Sequence, residues 1–138
     1  MKTLLLVVTL TLTPSSIAFG QPNDTTDGWL NGTGWESYER TEKSTYVYGL
    51  YQGILTLEAD LDLALPNQRK LIREKVTGYV ARQSLKDFVT QIDDFYKDRA
   101  NVRIPVPKAV FWVAQKIKGK STKELDAIVV AFRRQWNK

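Results

Sequence analysis

The most chemically suggestive stretch runs from Lys108 to Lys116, with Phe111 and Trp112 between the two lysines. On a helix, Lys108, Trp112 and Lys116 recur at i, i+4 and i+8 and share a face. Such a cation-aromatic-cation ladder can stack a ring or hold an anionic group of a lipid, glycan, nucleic acid or protein. The same spacing also describes a tryptophan half-buried beneath lysine stems, which is the commoner arrangement. Val106, Val110, Val113 and Ile117 already supply a packing stripe. Phe111 and Trp112 are therefore apolar surface beyond what one packing face needs.

A second group is acidic. Asp93, Asp94 and Asp98 lie near Tyr96, with Asn101 and Arg103 just beyond. Paired carboxylates can perform acid-base work when their environments separate their pKa values, or bind a hard cation. Adjacent helical residues do not face each other, however, so Asp93 and Asp94 cannot address one substrate atom. The structural alternative is that one aspartate pairs with Lys97 or Arg99 while Asn101 caps the turn. Glu58, Asp60 and Asp62 lack the glycine and distal glutamate of a calcium loop. Glu36 and Glu39, beside Trp35 and Tyr38, fit either a two-carboxylate glycan site or acids offsetting a helix dipole.

Composition narrows the chemistry. The chain has 138 residues, no histidine and no cysteine. That removes the commonest general base, the commonest metal ligand and every nucleophile paired with histidine. No cofactor or metal is expected, and stability must come from packing without disulfides. Charge is uneven: residues 21–62 carry two basic and eight acidic side chains, and residues 63–138 carry seventeen and seven. Either the acidic half folds back on the basic one, or a basic surface is kept for an anionic partner.

These residues need elements to hold them. Residues 1–20 have a basic Lys2, an apolar run from Leu4 to Leu12 and the small-x-small Ala18-Phe19-Gly20, which together predict a cleaved export signal. Residues 21–33, rich in Asn, Asp, Thr and Gly, read as a flexible acidic leader. Residues 34–138 then read as one all-α domain, a compact bundle of four to five helices. One long central helix over about residues 33–59 would carry Trp35, Tyr46 and Leu50, with Gly49 and Gly53 forming a smooth strip for close helix packing. Pro66 opens a second helix bearing Leu71, Ile72, Val76 and Tyr79, interrupted near Gly78. Ser84 caps a third with the stripe Leu85, Phe88, Val89, Ile92, Phe95 and Tyr96. The last two run from Pro107 to Lys118, stopped by Gly119, and from the Ser121-Thr122-Lys123-Glu124 capping box through Leu125, Ile128, Val129, Phe132 and Trp136.

Trp35 followed by Tyr46-Val47-Tyr48-Gly49-Leu50-Tyr51-Gln52-Gly53 resembles the tyrosine-hydrophobic-x-Gly-x-x-x-Gly helix of the Rap/Tai proteins. Those are small periplasmic helical domains, some of them immunity proteins against secreted peptidoglycan-degrading toxins. The C-terminal helix pair joined at Gly119 is also similar. The stretches Ile92-Asp93-Asp94-Phe95-Tyr96 and Asn101 to Val106 are similar to those of exported bacterial proteins without assigned function. The resemblance implies a helical fold and a non-catalytic role, and carries over no functional residue. The expectation is an exported protein, periplasmic or secreted, that binds a protein or an anionic envelope component through its basic C-terminal half. It has no specific nucleic-acid partner and no transmembrane segment in the mature chain. Two rival classes are a carboxylate enzyme acting on cell-wall glycan and a chaperone-like or structural envelope protein with an apolar patch at Phe111 and Trp112.

Overall fold

The computed structural model describes residues 24–76 and 83–136. The export signal, Gly78 and Tyr79 lie outside the described residues. Asp24 opens a minimal hairpin in which β1 (Thr25–Thr26) pairs antiparallel with β2 (Trp29–Leu30). Asp27 and Gly28 both take positive φ, 51° and 79°. Two such residues build the tight turn whose twist matches paired strands. The composition of residues 21–33 suggested a flexible leader, but Asp27-Gly28 between two β-formers folds its described part into a hairpin.

Asn31 then caps α1 (Gly32–Ser37), its Oδ1 accepting from the Thr33 and Gly34 amides at 2.9 and 3.2 Å. The expected single helix from residue 33 is broken at Tyr38, and α2 (Arg40–Ala64) starts afresh on a capping box between Glu39 and Glu42. A 3-10 turn at Pro66–Gln68 reverses the chain into α3 (Arg69–Val76). Ser84 caps α4 (Leu85–Lys97), whose Asp87 amide donates to Ser84 Oγ at 3.2 Å. A short 3-10 turn (Arg99–Asn101) leads to α5 (Val106–Ile117). At its end Gly119, with φ of 85°, donates to the Lys116 carbonyl, and Lys120 donates to that of Gln115. This paired pattern satisfies carbonyls that the last turn leaves open. The Ser121–Glu124 capping box starts α6 (Thr122–Trp136).

The fold is thus all-α apart from the hairpin, with six helices among the described residues, one of them a six-residue turn. Its core is centred on α4 and α5 rather than on α2. Phe88, Val89, Ile92, Phe95 and Tyr96 of α4 are buried against Val106, Ala109, Val110 and Val113 of α5, with Trp35 and Trp136 closing the sides. Each fully buried side chain of this size contributes about 1.5–3 kcal/mol. From α2 only Val47 is fully buried, while Tyr46, Leu50 and Tyr51 pack at the margin.

Gly49 and Gly53 are exposed, and a Cβ built on either would meet nothing within 4 Å. The expected packing strip is therefore absent, because α2 turns its face at Val47, Leu50, Tyr51 and Ile54 inward. The glycines that do allow close approach are Gly32 and Gly34. A Cβ on Gly32 would lie 2.5 Å from Tyr96 Cδ1 and 2.9 Å from Val102 Cα, and one on Gly34 would lie 2.6 Å from the Asp24 carbonyl oxygen.

Candidate functional site

The lysine-aromatic segment does not form a ladder. Trp112 leans on Phe95 of α4, ring centroids 5.2 Å apart, and Lys116 lies over it at 5.3 Å. Lys108 instead lies 5.6 Å over the ring of Trp136. Phe111 turns the other way onto Phe132 of α6 at 6.3 Å. Because α5 is flanked by α4 and α6, both rings are half-buried between helices. Phe111 and Trp112 therefore do not make the exposed patch that a chaperone-like role predicts at this position. The Trp112 indole N–H is buried with no hydrogen-bond partner among the described residues.

The acidic group is divided among structural tasks. Asp93 Oδ1 accepts from the indole of fully buried Trp35 at 2.8 Å and from Lys43 Nζ at 2.9 Å, while Lys43 also lies 5.3 Å over the Trp35 ring. Asp94 faces outward and pairs with Lys97 at 2.6 Å. Asp98 accepts from the Ala100 amide and from Arg133, which together hold its carboxyl below the usual range. Asn101 is buried, donating to the Phe95 carbonyl at 2.7 Å and accepting from Arg133 Nε at 2.9 Å. Tyr96 donates to the Ile104 carbonyl at 2.8 Å. Burial, helped by nearby Tyr46, raises its phenol well above its ordinary value. Arg103 is exposed. The cluster is a clamp about the turn between α4 and α5, with Asp93, Asp94 and Asp98 each engaged by different partners. Glu36 pairs with Arg99 at 2.5 Å, Glu39 belongs to the α2 cap, and Glu58 and Asp62 face Arg73 at 3.8 and 3.1 Å.

An apolar cavity lies elsewhere. As the Arg69 and Arg73 contacts to the Asp62 end of α2 require, α2 and α3 form an antiparallel hairpin. The core reaches α2 at Val47, with Tyr46, Leu50 and Tyr51 at its margin. From that margin onward Leu50, Ile54, Leu57 and Leu61 recur at spacings of four, three and four, which sets them in one row on a helix. This row faces Leu71, Ile72 and Val76 across a groove of about 550 Å³, with Trp29 of the hairpin and Pro107 of α5 also in its wall. Its polar lining residues are Gln68 and Lys75. Leu57 is 56% exposed, Leu71 51% and Trp29 55%, so the groove is open to solvent. A smaller recess of about 380 Å³ shares Trp29 and Pro107 and adds Asp27, Lys108, Gln135 and Trp136. Among the described residues these two cavities hold one carboxylate, Asp27, which gives no pair there for glycoside chemistry.

Sequence reasoning missed the groove because Leu50 was assigned to a central helix over about residues 33–59, and its pattern does not show which stretch the core leaves uncovered. The available signal was length. At about 1.5 Å per residue, the 25 residues of α2 reach roughly 37 Å, and of them only Val47 is buried. No family model, curated protein or solved structure matches the chain. Among the described residues no helix is long and apolar enough to cross a membrane.

Proposed function

We propose that this chain is a small exported binding protein without catalytic activity, and that its ligand is apolar and occupies the groove between α2 and α3. The observation that carries this reading is the groove itself: about 550 Å³ of open space lined almost wholly by aliphatic side chains. Ligand sites have this character, concave and mostly apolar with a few polar groups to set orientation. Leaving Leu57 and Leu71 in water is costly for a solitary domain, at about 25 cal/mol for each Å² of apolar surface, so a covering ligand gains what folding left unused. The engagement of Asp93, Asp94 and Asp98 in structural bonds supports a non-catalytic role. The charge and hydropathy pattern of residues 1–20 supports export. The immunity-like role that the Rap/Tai resemblance implies is a version of the same reading in which the ligand is a segment of another protein.

The test is titration of the protein, produced from its full-length sequence, with a neutral phenyl-naphthylamine dye that fluoresces in apolar surroundings. Saturable binding at one dye per chain is expected, lost in Leu57→Asp and kept in Leu63→Asp, whose residue is 78% exposed and lies outside the groove lining. Both positions are already in contact with water, so both variants should fold. Absence of saturable binding, or equal binding by both variants, would refute the assignment.

A further inference from the structure

This inference rests on the groove reading and names the ligand. The row from Leu50 to Leu61 spans eleven residues, or about 16 Å at the helical rise. A groove of about 550 Å³ open along that length has room for an extended hydrocarbon chain. Sixteen ångströms is also the extent of a straight chain of about twelve to fourteen carbons.

The polar lining sets the head group. Lys75 is the one charged residue among those described in the wall. Among the described residues it forms no ion pair, whereas Arg73, on the same helix, is taken by Glu58 and Asp62. Arg69 and Lys70 add positive charge to α3, against the single acid Glu74. An anion is therefore drawn to the α3 rim. Gln68, near the turn between α2 and α3, is the remaining polar group in the lining. A fatty acid asks for no more, because its chain carries no donor or acceptor to leave unpaired.

We propose that the groove binds a single-chain fatty-acid anion of about twelve to fourteen carbons, the chain lying along Leu50, Ile54, Leu57 and Leu61 and the carboxylate meeting Lys75.

The experiment displaces the naphthylamine dye with tetradecanoate, dodecanoate, decanoate and the uncharged tetradecanol, all below their aggregation concentrations. Tetradecanoate should displace the dye competitively at one per chain. Affinity should fall about four-fold for each methylene removed, as burial of about 0.8 kcal/mol per methylene requires. Tetradecanol should bind about three- to five-fold more weakly than tetradecanoate, since an exposed ion pair contributes up to about 1 kcal/mol. Lys75→Gln should erase that difference while leaving tetradecanol and dye unaffected, and Lys75→Glu should reverse it. If the dye binds in a Leu57-dependent way but tetradecanoate does not displace it, the inference fails while the groove reading stands. It fails in the same way if tetradecanoate and tetradecanol bind equally in wild type, or if light scattering shows a dimer whose formation Leu57→Asp abolishes and tetradecanoate leaves intact. If the dye itself does not bind, both fall.

Discussion

Replacing Gly32 and Gly49 each by alanine should shift stability in opposite directions. At Gly49, in the middle of α2, an added Cβ meets nothing within 4 Å. The substitution then acts only through backbone entropy and helix propensity and should stabilise by about 0.5–1 kcal/mol. At Gly32 the new carbon would stand 2.5 and 2.8 Å from two Tyr96 ring atoms, against about 3.5–4.0 Å for a comfortable carbon contact. Tyr96 has no room to retreat: it is buried, its hydroxyl is bonded to the Ile104 carbonyl, and its ring stands edge-on to Phe95 at 5.2 Å. Val102, the other obstacle at 2.9 Å, is backbone and accepts the Gly32 amide at 2.8 Å. Overpacking of this kind costs about 1–3 kcal/mol, and breaking either buried hydrogen bond adds about 1–3. A net loss of about 2–4 kcal/mol is expected, out of a total of about 5–15 for a domain. At about 3–5 °C per kcal/mol, thermal melts followed by circular dichroism should place Gly32→Ala roughly 6–20 °C below wild type and Gly49→Ala a few degrees above it. A destabilised Gly49→Ala would mean that α2 packs another backbone against its glycines after all. A Gly32→Ala that melts with wild type would mean that the contact to Tyr96 is loose.

Two further substitutions test the clamp and a helix cap. Asp93→Ala leaves the indole N–H of fully buried Trp35 without its acceptor and should cost about 2–3 kcal/mol in urea unfolding. Asp93→Asn keeps an acceptor and loses only the charge facing Lys43, on a side chain 41% exposed, so at most about 1 kcal/mol is expected; equal costs would show that the indole bond contributes little. Glu124 has its pKa lowered to about 2 by its bonds to Lys120 and then Ser121. A carboxyl depressed in the folded state stabilises fully above its unfolded pKa of about 4.3. That stabilisation is lost as the pH falls through about 2. Melting temperatures of wild type and Glu124→Gln should therefore differ above pH 5 and converge near pH 2, and a gap that persists at pH 2 would contradict the assignment.

The legible parts of the sequence were those in which one residue type has one local consequence. Ser84, Ser121 and Gly119 mark helix ends because their hydrogen bonds are made within a few residues, and the α4 stripe shows its period because that helix has a single buried face. In the lysine-tryptophan segment the commoner arrangement, a tryptophan half-buried beneath a lysine stem, is the one Trp112 and Lys116 adopt, but helical spacing defines a face and not the neighbours on either side of it. Trp112 went to α4 and Phe111 to α6, which left Lys108 nearer Trp136. Gly49 and Gly53 misled for a related reason: the glycine that matters for packing, Gly32, touches Tyr96 and Val102 some 64 to 70 positions away, and no local pattern announces that contact. The hairpin was signalled by Asp27-Gly28, but two strands of two residues each are too short for alternation to show.

The charge asymmetry is partly explained by folding and partly left over. Glu36 of the acidic half pairs with Arg99, and Glu58 and Asp62 pair with Arg73, so the halves do neutralise each other where they meet. Among the described residues Lys75, in the wall of the apolar groove, takes part in none of these pairs. The exposed leucines are costly in water, and the hydrated lysine beside them is free to meet an anion. A ligand with an anionic head and an aliphatic body satisfies both at once, whereas a purely apolar ligand would leave the lysine unmatched and a purely anionic one would leave the leucines in water.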